Sequence, residues 1–444
     1  MAKRIGILIV VLAVTAGFAA VKSGSPLTDK EQLGKFLFFD KIAEPDWMTC
    51  ADCHAPSFGF TGPIPGINRH GAVYRGAVPQ RFGNRKPPSA AYATLAPIFH
   101  YDSDEGLFIG GNFWDGRATG ERLGNPAAEQ ALGPFLNPVE MNNPSKLAVL
   151  RQVAGSKYAW LWPVVWNEPL VFDTQDDLEK NYDRIGLAIA AYEGSTEVNA
   201  FSSKFDLFWK AATDAGLDVA AVDLGNWMDY SGYGLTDQET WGLAVFADEY
   251  KGKCALCHVL TTPDGGGPPL FTDFSFDNLG VPKNPDNPFY KMGKVYLNDG
   301  SPINPLGSAW VDLGLGGFLA GHPNPEWQAM AGENYGKHKV PTLRNVDKRS
   351  GEEMPKAFTH NGFFKSLKEI VHFYNTRDLG GWPPPEVSAN VNHEELGDLG
   401  LSEEEEDGIV LFMQTLSDGY TRFSPKEKTR NPGVLTAARA GLKK

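Results

Sequence analysis

All four cysteines of the chain fall in two copies of one five-residue pattern, Cys50-Ala51-Asp52-Cys53-His54 and Cys254-Ala255-Leu256-Cys257-His258. Cys-x-x-Cys-His is the pattern by which a haem c is attached. The spacing suits that chemistry: two thiols reach the two vinyl groups of one porphyrin, and the next residue sets an imidazole under the iron. Disulfides are the commoner use of cysteine in an exported chain, but they do not call for a histidine after each pair. A thioredoxin-like Cys-x-x-Cys does not call for one either. A zinc site needs four ligands, and no second Cys-x-x-Cys or His-x-x-x-His lies near either motif. The expectation is therefore two covalent haem c groups on Cys50, Cys53, Cys254 and Cys257, with His54 and His258 as proximal iron ligands.

The elements that would position these motifs repeat. Leu27-Thr28-Asp29-Lys30-Glu31 runs on to Gly34, Phe38 and Asp40, and Leu235-Thr236-Asp237-Gln238-Glu239 runs on to Gly242, Phe246 and Asp248. Seven of the fourteen aligned positions are identical. Each segment opens with Thr-x-x-Glu, a capping box that starts a helix. A closing helix is predicted in each half, through Ile185, Ala188, Ile189 and Tyr192, and through Ile409, Phe412, Met413 and Leu416 behind Ser402-x-x-Glu405. A further capped helix, from Ser366 to Tyr374, carries Leu367, Ile370, Val371 and Tyr374 on one face. Residues 380–399 read as a Pro- and Gly-rich loop. Internal repetition of this kind reads as duplicated domains. The fold class expected is mainly α: two loop-rich, cytochrome c-like domains over 25–205 and 206–430, each around one haem.

The chain has 444 residues and a net charge of -13. Phosphate binding needs clustered Lys and Arg, so nucleic acid is excluded as a partner. An acidic surface can steer a basic protein partner, although it also serves solubility. Lys3 and Arg4 precede an apolar run from Ile5 to Phe18, with small residues before a cleavage point after Ala19. Residues 1–19 therefore read as a signal peptide and the mature protein as periplasmic. The run is short for a membrane span, with an uncleaved anchor as the alternative.

Other segments carry a resemblance. Phe113-Trp114-Asp115-Gly116-Arg117-Ala118, Gln130-Ala131-Leu132-Gly133-Pro134 and Asn137-Pro138-Val139-Glu140-Met141 resemble the bacterial di-haem cytochrome c peroxidase family, which includes the methylamine-utilisation di-haem oxidases. So do Val340-Pro341-Thr342-Leu343-Arg344-Asn345-Val346, His360-Asn361-Gly362 and Phe373-Tyr374-Asn375. The resemblance runs from about residue 27 to 420. It implies that the haem on His54 is peroxidatic and that electrons arrive at the haem on His258. His70 matches the family's distal His, a candidate ligand that leaves on activation. Glu140 and Gln130 match distal-pocket residues. Splitting a peroxide O–O bond requires a proton to move from the near oxygen to the leaving one, and a carboxylate can carry it; Gln130 would hold peroxide or water. Trp114 matches the Trp between the two haems, and Arg117 is a candidate partner for a haem propionate.

Two positions depart from the pattern. Phe364 stands where the resemblance would put a Met or Tyr ligand of the second haem, which leaves Met354 and His360 as the candidates. For calcium, Arg85-Lys86-Pro87-Pro88-Ser89 puts Lys86 in place of an Asn ligand, with Asn84 out of register and Pro341 retaining a carbonyl. An ammonium opposes a hard cation. The remaining histidines, His100, His322, His338, His372 and His393, read as surface or structural.

The leading expectation is a peroxidase that takes electrons from a small cytochrome c or copper protein and reduces hydrogen peroxide, with a homodimer as a compatible assembly. The alternatives are a di-haem oxidase that modifies a partner protein and a non-enzymatic di-haem electron carrier.

Overall fold

The computed structural model describes residues 26–421 except Asp264. The expected signal peptide, 1–19, lies outside the described residues, as does the end of the second expected domain beyond 421. Among the described residues no helix is long and apolar enough to cross a membrane.

The chain is largely helical. Its longer helices are α1 (Asp29–Phe39), α2 (Pro126–Leu136), α3 (Lys146–Ala154), α4 (Gln175–Glu193), α5 (Lys204–Asp214), α6 (Asp237–Ala247), α7 (Leu367–Thr376) and α8 (Glu403–Gln414). The capping boxes form as the sequence predicts. Thr28 and Glu31 open α1, Thr236 and Glu239 open α6, Ser366 and Glu369 open α7, and Ser402 and Glu405 open α8. Each box satisfies two backbone N–H groups that the first turn leaves free. Leu416 falls beyond α8, which ends at the Thr415 cap. Sheet is confined to two antiparallel pairs. In the first, β1 (His100–Asp102) lies on β2 (Leu107–Ile109); in the second, β3 (Phe276–Asp277) lies on β4 (His338–Lys339).

The repeated segments do the same work. α1 packs on α4, and α6 packs on α8. At the first crossing a Cβ added to Gly34 would lie 1.8 Å from the Ala188 carbonyl oxygen. At the second, a Cβ on Gly242 would lie 2.0 Å from the Gly408 oxygen. Glycine at both aligned positions lets backbone approach backbone.

The buried apolar side chains form two main clusters. One gathers Leu33, Leu37, Phe38, Phe135, Trp162, Ile185 and Ile189; the other gathers Phe205, Phe246, Phe271, Phe364, Phe373, Ile409 and Phe412. Each such side chain contributes roughly 1.5–3 kcal/mol by leaving water. Leu270 belongs to the first cluster, and a small third one joins Phe99 and Phe108 to Phe276, Leu315 and Leu319. A polar contact also crosses between the halves: Asp418 accepts from the Tyr92 hydroxyl at 2.7 Å. Within the second half Asp418 accepts from Asn345 Nδ2 at 2.8 Å, and buried Arg344 pairs with Asp206 at 2.9 Å.

Candidate haem sites

Both Cys-x-x-Cys-His motifs fold into the same turn. Cys50–Asp52 and Cys254–Leu256 are short 3-10 helices, and the amides of His54 and His258 each donate to the carbonyl of the first cysteine of their motif at 2.9 Å. The turn sets two thiols and an imidazole along one cavity wall. Cys50, Cys53 and His54 line a cavity of about 140 Å³, and Cys254, Cys257 and His258 line one of about 220 Å³. None of the four cysteines is paired in a disulfide. Burial pushes the pKa of Cys50 and of Cys254 up to about 12.

The imidazoles are prepared as iron ligands. His54 Nδ1 lies 3.1 Å from the Phe60 carbonyl oxygen, and His258 Nδ1 lies 2.8 Å from that of Phe271. A carbonyl only accepts, so Nδ1 carries the proton and Nε2 keeps its lone pair. Burial also lowers both pKa values, that of His258 to about 4, which keeps the rings neutral. A thiol pair, a neutral imidazole of fixed tautomer and an apolar-walled cavity fit a covalent haem at each site.

Four of the expected residues meet in the first cavity: Glu140, Gln130, Trp114 and Arg117 all line it. Gln130 comes from α2, and Glu140 from the turn that follows it. Asn137 Nδ2 donates to Glu140 Oε2 at 2.7 Å. Burial raises the Glu140 pKa, against the opposing pull of Asn137 and Arg117. Arg117 donates to both oxygens of Asp115 at 2.8 Å, and its guanidinium lies 3.7 Å from the Phe113 ring centroid. Its expected propionate role therefore competes with an ion pair.

His70 is not brought to this cavity. Its side chain is 72% exposed, and its Nδ1 faces Asp286 at 3.4 Å. The short helix Pro65–Arg69 ends at His70, which does not line the His54 cavity.

In the second cavity the expected ligands divide. His360 lines the wall, whereas Met354 does not and is half-buried elsewhere. Phe364, the position named for a missing ligand, is 1% exposed and packs on Phe373 and Trp382. Tyr374 lines this wall too, on one helical face of α7 with Leu367, Ile370 and Val371, which also line the cavity. Burial raises the Tyr374 pKa. The apolar face of α7 was visible in the sequence, yet periodicity does not say that a phenol on it faces a cofactor rather than a core.

Sequence reasoning also missed three groups. Glu193, at the end of α4, lines the first cavity, and burial pushes its pKa up to about 8. His338 and His360 stack at 3.6 Å between ring centroids, 8° from parallel. Arg85 bridges Asp312 and Asp115 at 2.6 Å each. Burial works to raise both carboxyl pKa values, and the Arg85 guanidinium outweighs it and holds them low.

Trp114 lines both cavities. Its Nε1 donates to the Lys86 carbonyl at 2.8 Å, and its ring stands edge-on to His360 at 6.4 Å. Lys86 points its ammonium at Thr61 Oγ1 and the Pro87 carbonyl, 3.0 and 3.2 Å away. A cation already sits where the resemblance would put a calcium ligand, so these residues do not fit calcium.

Residues 28–214 match the family described as di-haem cytochrome c peroxidase. Over 409 residues the chain is 31% identical to methylamine utilization protein MauG of Paracoccus denitrificans (strain Pd 1222), covering 88% of this chain and 89% of that one. It is 26% identical over 411 residues to cytochrome-c peroxidase IdrP1 of Denitromonas iodatirespirans, covering 89% and 84%. Among solved structures, the Y463M variant of the diheme peroxidase BthA from Burkholderia thailandensis E264 superposes with a TM-score of 0.67 at 28% identity, covering 88% and 86%.

Proposed function

The chain belongs to the di-haem cytochrome c peroxidase family, and on that premise we propose that this oxidoreductase reduces hydrogen peroxide to water in the cavity of His54. Its electrons come from a small cytochrome c or copper protein and are taken up at the haem on His258. The segments 25–205 and 206–430 serve as one haem domain each, and residues 1–19 direct export to the periplasm.

The observation that carries this reading is the half-buried carboxyl group of Glu140 on the wall of the His54 cavity, steadied by Asn137. A haem held by Cys50, Cys53 and His54 would supply the iron and the electrons for O–O cleavage. Glu140 would carry the proton that must move from one peroxide oxygen to the other, which leaves as water. Gln130 orients the peroxide by hydrogen bonding. Two electrons and two further protons complete the conversion of one peroxide to two waters. Trp114, on the wall of both cavities, provides an aromatic bridge for the electrons. His70 stands outside, so its part is that of a displaced gate.

Steady-state turnover of hydrogen peroxide with a reduced small cytochrome tests the reading. Multiple turnovers are expected. Peroxide consumption only in stoichiometric modification of a partner protein would favour the oxidase alternative, which the 31% identity to MauG supports. A half-reduced protein in which neither haem has an open position would favour the electron carrier.

A further inference from the structure

The segment that follows the first Cys-x-x-Cys-His motif is pressed against the second half. A Cβ added to Gly59 would lie 2.7 Å from the Asn345 Cβ and 3.0 Å from the Asn345 carbonyl oxygen. Gly59 also holds a φ of +68°, so space and backbone both call for glycine there. Two hydrogen bonds cross between the halves as well. Asn68 Nδ2 donates to the Pro355 carbonyl at 3.1 Å, and the Lys86 amide donates to the His360 carbonyl at 2.8 Å. Backbone packed this closely brings carbonyl oxygens together, and each needs a donor.

Lys356 supplies donors. The residue is 4% exposed. Its Nζ donates to the carbonyl of Phe58 in the first half at 3.2 Å, and to those of Asn345 and Lys348 in the second at 2.9 Å each. Three acceptors around one nitrogen use three N–H groups, which only the ammonium has; a neutral amine would turn its lone pair on a carbonyl. Burial, and then the charge of Lys86, lower the Lys356 pKa, and the three bonds work against that loss of charge. Carbonyl oxygens are also ligands by which proteins hold a hard metal ion. Lys86 stands where the resemblance would put a calcium ligand, and it lines the His258 cavity together with Lys356. A divalent cation there would be repelled by both ammoniums.

We propose that Lys356 is a tethered replacement for a metal ion between the halves: its ammonium gathers carbonyls from both, so that they stay joined without a bound divalent cation. The same bond positions the first site. Lys356 holds the Phe58 carbonyl, and two residues on, the Phe60 carbonyl orients His54 through Nδ1 at 3.1 Å. The inference rests on contacts between the halves and not on the choice of substrate, so its failure leaves the peroxidase reading standing.

The test uses the haem-loaded full chain. Lys356→Met keeps most of the length and bulk of the side chain and removes the three donors. Its melting midpoint should fall by about 5 °C or more, the scale expected when buried carbonyls lose their partners. The iron–histidine Raman band of the reduced His54 haem should shift in this variant, while that of the His258 haem stays. The wild-type midpoint should be the same in excess calcium as in EGTA. So should that of Lys86→Asn, in which Lys356 still occupies the contact. An unchanged midpoint in Lys356→Met overturns the proposal, because packing alone would then explain the residue. A midpoint that calcium raises, in the wild type or in Lys86→Asn, overturns it too. An unmoved His54 band overturns the positioning of the first site. If Lys356→Met does not fold, calcium titration of the wild type and of Lys86→Asn decides alone.

Discussion

The two cavities share an anchor and differ in everything around it. The same turn carries two thiols and an imidazole in each, and the same capped helix with a glycine at its crossing precedes each. Around His54 the walls bring acids without charged partners in contact, Glu140 and Glu193, together with Gln130. Around His258 the acids Asp312 and Glu386 are held low, by Arg85 and, more weakly, by His360, against the burial that would raise them. The first cavity holds two carboxyl groups whose pKa values burial raises; the second mixes carboxylates held low with Asp277, which burial also raises. The repeat supplies matching Cys-x-x-Cys-His turns, and the segments after them give the two cavities different walls.

The largest break in that comparison should come from Glu140. Replacing it with Gln keeps shape and removes the proton carrier, so peroxide turnover should fall by roughly 10²–10⁴. Glu386→Gln in the other cavity should lower turnover far less. Stopped-flow assays with a saturating reduced donor compare the two, and equal losses would end the division of labour argued here.

Glycine at the helix crossings should sharpen the likeness instead. Gly34→Ala and Gly242→Ala each drive a Cβ into a backbone oxygen. Each should cost about 3 kcal/mol or more, since neither helix can yield without moving its partner. Denaturant melts of the two variants should shift together; a loss at one site only would mean that the repeat is not structurally equivalent.

A third expectation concerns pH. Glu193 binds its proton up to about pH 8 when folded, against an ordinary value of 4.5. The folded state therefore holds more protons than the unfolded state between those values, and stability contributed below them declines as pH rises through that window. Glu193→Gln should flatten this slope in melting curves between pH 5 and 8, within the window those two values set. Glu386, whose pKa is lowered, should give no such decline when replaced by Gln.

The smallest effect on stability should be that of Trp114→Phe, about 1 kcal/mol for the lost bond to the Lys86 carbonyl. Its kinetic effect should be specific. Electron transfer from the His258 haem to the His54 haem should slow in single-turnover measurements, while reduction of the His258 haem by the donor stays as fast. A slowed donor step would place Trp114 elsewhere on the route.

Much of this was legible in the chain. Thr28, Thr236, Ser366 and Ser402 announced helix starts, because capping is local chemistry within four residues. Cys-x-x-Cys-His named the haem anchors for the same reason: the ligands are neighbours. Glu140, Gln130 and Trp114 were found through resemblance, and they do share a cavity. His70 and Met354 line neither cavity, whereas Tyr374, read from the sequence only as part of a helical face and a motif, lines the second.

The sequence by itself determined what lies within a turn or two of chain: caps, the attachment turns, the helical faces and the repeat that makes two of each. Only the tertiary structure decided which distant groups share a wall. Lys339 meets Asn112 across 227 residues, and Lys356 meets Phe58 across 298. Burial and the count of hydrogen-bond partners belong to such meetings, because both depend on groups that the chain order leaves far apart.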